Sequence, residues 1–113
     1  MHWILDERQP GEAIRVERDE YIYGIYVSDD EVVYFDPSSK KIVATTYNDF
    51  IGNGILEIAC LSLYDHAKRL QPHLTIKMAR DRLGDTSYSE GLVFVFECYT
   101  GKKVPDSTHI VTW

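Results

Sequence analysis

Short, strand-like segments fill the first half of the chain. Ile14 and Val16 alternate with Arg15 and Glu17, which is the two-residue period of a half-buried strand. Residues 20–27 are rich in β-branched and aromatic side chains, which pack well on a pleated surface. The candidate strands are 14–17, 20–27, 32–35 and 42–46, and turn-forming residues occupy 28–31 and 36–40. These segments predict a meander of three or four antiparallel strands.

The period of the apolar residues changes after this meander. Helical spacing relates Leu56, Ala59 or Cys60, Leu63, Ala67 and Leu70. Asn53, between two glycines, is a candidate N-cap, so the segment Gly52-Asn53-Gly54 is interpreted as a flexible entrance to the helix. Pro72 would stop it, because the residue before a proline is disfavoured in the α region. The pattern predicts one main amphipathic helix over about 53–70.

The last third of the chain is less regular. Residues 73–83 alternate at first and then favour a helix, so we expect a strand with an irregular or helical end; strand and helix both stay open. A loop is expected at 84–91, a central strand at 92–96, a turn at 100–103 and a short terminal strand at 109–113. The predicted fold is a single α+β domain, residues 1–113, with an antiparallel sheet of about five to seven strands packed against the main helix.

Composition excludes several classes of protein. The chain has 113 residues and a net charge of −6, which argues against binding nucleic acid or an anionic membrane. No apolar run approaches the ~20 residues of a membrane span, and the N-terminus lacks the pattern of a signal peptide. Cys60 and Cys98 lie in apolar segments and are expected to be reduced core residues. A cytoplasmic location is expected.

The negative charge is concentrated in the meander half. Residues 1–60 hold twelve acidic and five basic residues, a net charge of −7, whereas residues 61–113 have a net charge of +1. One acidic cluster, Asp29-Asp30-Glu31, is expected at a hairpin tip, and a second, Glu17, Asp19 and Glu20, at the opposite end of that hairpin. Such clusters either keep a surface solvated or steer a basic partner into contact.

Tyrosine is abundant in the same hairpin. The chain has eight tyrosines, and alternation along residues 20–27 puts Tyr21 and Tyr23 on one face and Tyr26 on the other. Tyrosine suits the centre of an interface because it joins a large apolar area to a polar tip. Tyr21, Tyr23 and Tyr34 are therefore candidates for the apolar centre of a partner-binding surface, and the alternative is that these rings fill the core.

No motif names a reaction. His2, His66, His73 and His109 lack zinc-binding spacing, so no metal or cofactor is predicted. A Cys98–His109 nucleophilic pair is conceivable, but an inert buried thiol is favoured. A basic patch at Lys77, Arg80 and Arg82 is interpreted as a solvated face, with a small anion site as the alternative.

The absence of a motif, together with the acidic hairpin, favours a protein-binding function. In size and charge the chain resembles bacterial immunity proteins, a likeness of general character that covers no motif and implies an inhibitor of a basic toxin, possible targets including nucleases. The predicted partner-binding residues are Glu17, Asp19, Glu20, Tyr21, Tyr23, Asp29, Asp30, Glu31 and Tyr34. Three alternatives stay open, namely a small enzyme with a histidine–carboxylate site, a self-associating scaffold that pairs through residues 109–113, and a binder of a small ligand. Monomer and homodimer are both compatible with the sequence.

Overall fold

The computed structural model describes residues 1–60 and 68–110. Within them a six-stranded sheet has the order β1-β6-β2-β3-β4-β5, and all of its strand pairs are antiparallel. The strands are β1 (His2–Ile4), β2 (Ala13–Glu17), β3 (Tyr21–Ser28), β4 (Glu31–Asp36), β5 (Lys41–Thr45) and β6 (Leu56–Cys60). The helices are α1 (Tyr47–Ile51), α2 (Pro72–Asp81), α3 (Gly91–Thr100) and a 3₁₀ turn (Ser107–His109). The α+β class and the meander β2–β5 are confirmed.

The main helix predicted over about 53–70 is wrong at residues 56–60, which form the strand β6. This strand lies between β1 and β2, with Ile58 opposite both Ile4 and Ile14. Leu56, Ile58 and Cys60 are also two residues apart, so the same apolar residues fit a strand once two neighbouring strands are available to pair with it. Residues 61–67 of the predicted helix lie outside the described residues.

The glycines that were interpreted as a helix entrance instead follow a short helix. Thr46 caps α1 by accepting a hydrogen bond from the Asp49 amide at 3.2 Å. Gly52 then ends α1 with a φ of 54° and an amide that donates to the Asn48 carbonyl. Glycine adopts this positive φ without the steric cost of a side chain. Asn53 therefore lies in a turn between α1 and β6 and caps no helix.

A helix replaces the strand expected at the start of residues 73–83. Pro72 occupies the first turn of α2, where its missing amide hydrogen costs no helical hydrogen bond. Thr75 and Ala79 are buried one helical turn apart, while Leu74 is largely exposed. The alternation of Leu74, Ile76 and Met78 was therefore misleading, because the small residues at 75 and 79 face the core.

The central strand expected at 92–96 is also wrong, since these residues belong to α3. This helix is buried around most of its circumference, and Val93, Phe94, Val95, Cys98 and Tyr99 are all at most 4 % exposed. An apolar run without a clear period fits a buried helix as well as a central strand. The turn expected at 100–103 is confirmed at Gly101, which ends α3 in the left-handed conformation with a φ of 76°.

The sheet has an apolar cluster on each face. Tyr23, Ile25 and Val27 pack on the face covered by α2 and α3, whereas Ile22 and Tyr26 pack on the opposite face. This confirms the alternation expected for β3. Phe50 of α1 belongs to the second cluster, so a helix of five residues covers part of the face that the larger helices leave open.

The loop expected at 84–91 is confirmed, and it borders the edge of the sheet. Ile42 in the edge strand β5 donates its amide hydrogen to the Asp85 carbonyl and accepts a hydrogen bond from the Gly84 amide, at 3.0 and 2.8 Å. The C-terminal strand is not seen at His109, which ends the 3₁₀ turn, and residues 111–113 lie outside the described part. Within residues 1–60 and 68–110, no helix is long and apolar enough to cross a bilayer.

A buried carboxylate joins this loop to α3. Glu97 Oε2 accepts hydrogen bonds from the Arg82 guanidinium at 3.1 and 3.2 Å and from the Tyr88 hydroxyl at 2.9 Å. Glu97 is only 4 % exposed, so its charge depends on these donors for stabilisation. Burial, together with the hydrogen bond to Glu97, raises the pKa of Tyr88, which keeps the hydroxyl protonated as a donor.

Candidate partner-binding surface

Two of the three acidic residues at the β3–β4 turn form internal ion pairs. Asp29 accepts hydrogen bonds from the Tyr26 hydroxyl at 2.6 Å and the Arg8 guanidinium at 2.8 Å. Glu31 accepts two hydrogen bonds from Arg80 of α2, at 2.6 and 3.1 Å. Asp30 is exposed and forms no ion pair with the described residues. This turn is therefore acidic in sequence but largely neutralised in the fold.

Arg8 also packs on the face of the sheet that carries Tyr26 and Tyr47. Its guanidinium carbon lies 3.8 Å from the ring centroid of Tyr47 and 5.5 Å from that of Tyr26, which are cation–π distances. The ion pair with Asp29 therefore fixes a side chain that also covers apolar surface. We conclude that Asp29 has a structural role in the fold.

Asp29→Asn is expected to make stability less sensitive to acid. The Tyr26 hydroxyl and Arg8 lower the pKa of Asp29 in the folded state, so its contribution is present at pH values above its unfolded pKa of about 4 and is lost as the pH falls through the lower folded value. Urea unfolding midpoints at pH 6 and pH 3 should therefore differ less for Asp29→Asn than for the wild type. Asp30→Asn is the matched control and should behave as the wild type does. An unchanged difference in Asp29→Asn would contradict this assignment.

The β2–β3 connection presents the opposite situation. Glu17, Asp19 and Glu20 are all exposed, and none forms an ion pair with the described residues. The nearest base in sequence, Arg18, donates to the carbonyl oxygens of Asp49 and Phe50 near the end of α1. Positive charge is favourable there because helix carbonyls concentrate partial negative charge at the C-terminus. Three carboxylates are thus left to face solvent.

Two exposed apolar side chains lie beside Glu17, the first of these carboxylates. Leu5 follows β1 and Ile55 precedes β6, and each is 72 % exposed. Together with Tyr21 and Glu17 they line an open depression of about 490 Å³. This surface, the acidic end, comprises the carboxylates Glu17, Asp19 and Glu20 and the apolar side chains Leu5, Tyr21 and Ile55.

A second groove adjoins the acidic end, with a volume of about 370 Å³. Tyr21 lines both this groove and the depression beside Leu5. The groove runs between the start of β3 and the start of α3, where Gly91 allows close packing because a Cβ there would lie 3.2 Å from the Tyr23 ring. Eleven residues line it, of which three are aromatic and three are charged, namely Tyr21, Tyr23, Phe35, Glu20, Glu90 and Lys40.

The predicted partner-binding residues therefore fall in three places. The first five, Glu17, Asp19, Glu20, Tyr21 and Tyr23, lie in or next to β3 at the acidic end and its adjoining groove. Asp29, Asp30 and Glu31 lie at the opposite end of the hairpin. Tyr34 packs edge-to-face on Phe50 on the other face of the sheet, with ring centroids 5.6 Å apart. The structure thus brings five of the nine residues together.

Sequence reasoning missed Leu5, Ile55 and Glu90. Leu5 is the last of three consecutive apolar residues before two acidic ones, and Ile55 was placed inside the predicted helix. Their exposure follows from the ends of β1 and β6, which sequence did not locate. Glu90 comes close to Glu20 only because α3 is a helix that begins beside β3.

The described residues do not assemble a recognisable catalytic or metal site. Cys98 is buried in α3, and burial raises the pKa of its thiol to about 12, which opposes formation of the thiolate that a Cys98–His109 nucleophile would need. Within residues 1–60 and 68–110, no group of three histidine, cysteine or carboxylate side chains could hold a metal ion. His66 lies outside these residues. A third groove, of about 260 Å³, lies among Arg18, Tyr34 and Phe50, and no histidine lines any of these three grooves.

Comparison with models of known protein families gives no match, and no curated protein sequence matches the chain. A functional assignment must therefore come from the geometry and charge of the chain itself. At the acidic end, the two most exposed large apolar side chains of the described residues, Leu5 and Ile55, lie beside the exposed carboxylate of Glu17.

Proposed function

We propose that the chain is a small acidic inhibitor of a basic protein, of the immunity-protein kind, and that it docks through the acidic end. The observation that carries the proposal is the contrast between the two ends of the hairpin. Asp29 and Glu31 are held in internal ion pairs, whereas Glu17, Asp19 and Glu20 are exposed without such partners among the described residues. The carboxylates of Glu17, Asp19 and Glu20 therefore remain available for lysine and arginine side chains of another protein.

The composition of the acidic end suits both steps of association. Unpaired surface carboxylates attract a basic partner over several ångströms and raise the rate of encounter. Leu5, Ile55 and Tyr21 then offer apolar area that the partner can remove from water. A toxin that acts on nucleic acid would carry basic residues in its active-site cleft, so occupation of this cleft by the acidic end would block the substrate.

The scaffold alternative, in which the chain self-associates through residues 109–113, falls mostly on residues outside the described part. The charges of the acidic end disfavour self-association through that end. If two copies met through Leu5 and Ile55, the carboxylates at Glu17, Asp19 and Glu20 of both copies would be brought close together. Like charges placed across an interface oppose association. The enzyme alternative requires a histidine–carboxylate pair, and no such pair lines the three grooves.

The proposal is tested by capturing a partner and then assaying its inhibition. The immobilised protein is expected to retain one basic protein from its source cell at low salt, in near-stoichiometric amount, and to release it at high salt. The purified partner should lose its activity when mixed with the protein at a one-to-one ratio. Asp30→Asn should retain the partner as the wild type does, and the double variant Glu17→Gln, Glu20→Gln should retain less. Equal retention by the wild type and the double variant, or capture without inhibition, would contradict the proposal.

A further inference from the structure

We propose that the groove of about 370 Å³ between β3 and α3 is a socket for one arginine side chain of the partner. This inference rests on the proposed function and adds the chemical group that is recognised. The volume is at the lower end of the range for pockets that bind small ligands, so it suits a single inserted side chain better than a folded segment. The groove adjoins the acidic end through Tyr21, so both surfaces can contact one partner.

The aromatic walls favour a planar cation. Tyr21 and Tyr23 line the groove with ring centroids 6.2 Å apart and an angle of 47° between the ring planes, and the buried Phe35 lies beneath this part of the groove lining. A guanidinium group stacks on such rings through cation–π contact and is more weakly hydrated than an ammonium group. The cost of removing arginine from water is therefore lower than the cost for lysine.

The chain already uses the same contact within its own fold. The guanidinium carbon of Arg15 lies 3.9 Å from the ring centroid of Tyr21, and Arg69 lies 4.3 Å from that of Tyr99. Arg15 is outside the groove, and its charge is balanced by an ion pair with Glu57 at 3.0 Å. The Tyr21 ring is thus held in place by one guanidinium group while it also lines the groove.

Two carboxylates supply the charge that a guanidinium group needs. Glu20 is exposed without an ion pair among the described residues. Glu90 is held by Ser107, whose hydroxyl and amide donate to its two oxygens at 2.7 and 3.0 Å. These hydrogen bonds orient Glu90 but leave its negative charge. A carboxylate can accept two parallel hydrogen bonds from arginine, which adds directional specificity.

Lys40 weakens the socket and provides a sensitive variant. Lys40 lines the groove, and its positive charge changes the net charge of the groove from −2 to −1. Its backbone has a φ of 55°, a conformation that glycine adopts more easily than lysine. Lys40→Gly therefore removes the opposing charge without backbone strain, and tighter binding of a cation is expected.

The anionic alternative is less well supported. Gly91 and Leu92, the first residues of α3, line the groove, and helix N-termini attract anions. Glu20 and Glu90 oppose an anion at this position, since two negative charges outweigh the single positive charge of Lys40. Binding of phosphate is therefore one of the outcomes that the test distinguishes.

The test is a titration of the isotope-labelled protein with N-acetyl-arginine amide, followed by NMR. Saturable shift changes are expected at Glu20, Tyr23 and Gly91, with weaker binding of N-acetyl-lysine amide and none of inorganic phosphate. Glu20→Gln should raise the dissociation constant about three- to fivefold, the effect of losing one exposed ion pair. Lys40→Gly should lower the dissociation constant by a similar factor. Asp30→Asn changes the charge by the same amount as Glu20→Gln and should have no effect.

The outcomes separate this inference from the proposed function. Absence of saturable shifts, equal effects of Glu20→Gln and Asp30→Asn, or phosphate binding at the same amides would overturn the socket, even if a basic partner is captured and inhibited. Saturable, groove-specific arginine binding would support the socket, even if the captured partner is not inhibited.

Discussion

Replacing Arg82 with methionine is expected to lower the free energy of unfolding by about 2–4 kcal/mol. The substitution leaves the Glu97 carboxylate, which is 4 % exposed, with the Tyr88 hydroxyl as its remaining hydrogen-bond donor. Loss of one member of a fully buried ion pair costs about 3–5 kcal/mol. We expect less here because the Arg82 side chain is 36 % exposed and because Tyr88 continues to donate.

The measurement is urea unfolding followed by circular dichroism, with two further variants. Arg80→Met is the matched control, since Arg80 lies in the last turn of α2, two residues before Arg82, and pairs with Glu31 in an exposed position; it should change stability only slightly. The double variant Arg82→Met, Glu97→Leu should recover much of the lost stability, because no buried charge is left without a partner. Similar losses from Arg80→Met and Arg82→Met would show that Glu97 does not depend on Arg82.

Reversing two charges at the acidic end is expected to slow association with the basic partner about 10- to 100-fold at low salt. The variant is Glu17→Lys with Glu20→Lys, and both residues are exposed without ion pairs among the described residues, so folding should be little affected. The loss arises because long-range attraction at this surface becomes repulsion. The salt dependence of the association rate should also become flatter.

The rate is measured by surface plasmon resonance at several salt concentrations with the captured partner. The single variants Glu17→Lys and Glu20→Lys have the same charge change as Asp30→Lys, which alters the opposite end of the hairpin. Asp30→Lys should slow association much less than either of them. Equal slowing by all three would mean that net charge, and not the acidic end, controls encounter.

Sequence patterns located the elements whose partners are close in the chain. The strands β2 to β5 pair consecutively through short turns, so alternation and turn residues were enough to predict them. The strand at 56–60 pairs with β1 and β2, forty or more residues earlier, and its apolar spacing also fits a helix. For residues 92–96 the apolar character indicated burial correctly but could not distinguish a helix from a strand.

The limits of the site prediction have a related cause. Asp29 and Glu31 look as available in sequence as Glu17 and Glu20 do. Their partners, Arg8 and Arg80, lie 21 and 49 residues away in the chain, and only the fold shows that these carboxylates are already in use. The acidic character was predictable from composition, whereas the division between structural and available carboxylates required three-dimensional contacts.

The hydrogen bonds between Ile42 and residues 84–85 also matter for the chain in concentrated solution. An outer strand with free amide and carbonyl groups is a template on which another molecule can add a strand, and repeated addition leads to amyloid-type growth. In β5 the amide and carbonyl groups of Ile42 are satisfied by the chain's own loop. This protects the first part of that edge from such growth, at the β-forming sequence Ile42-Val43.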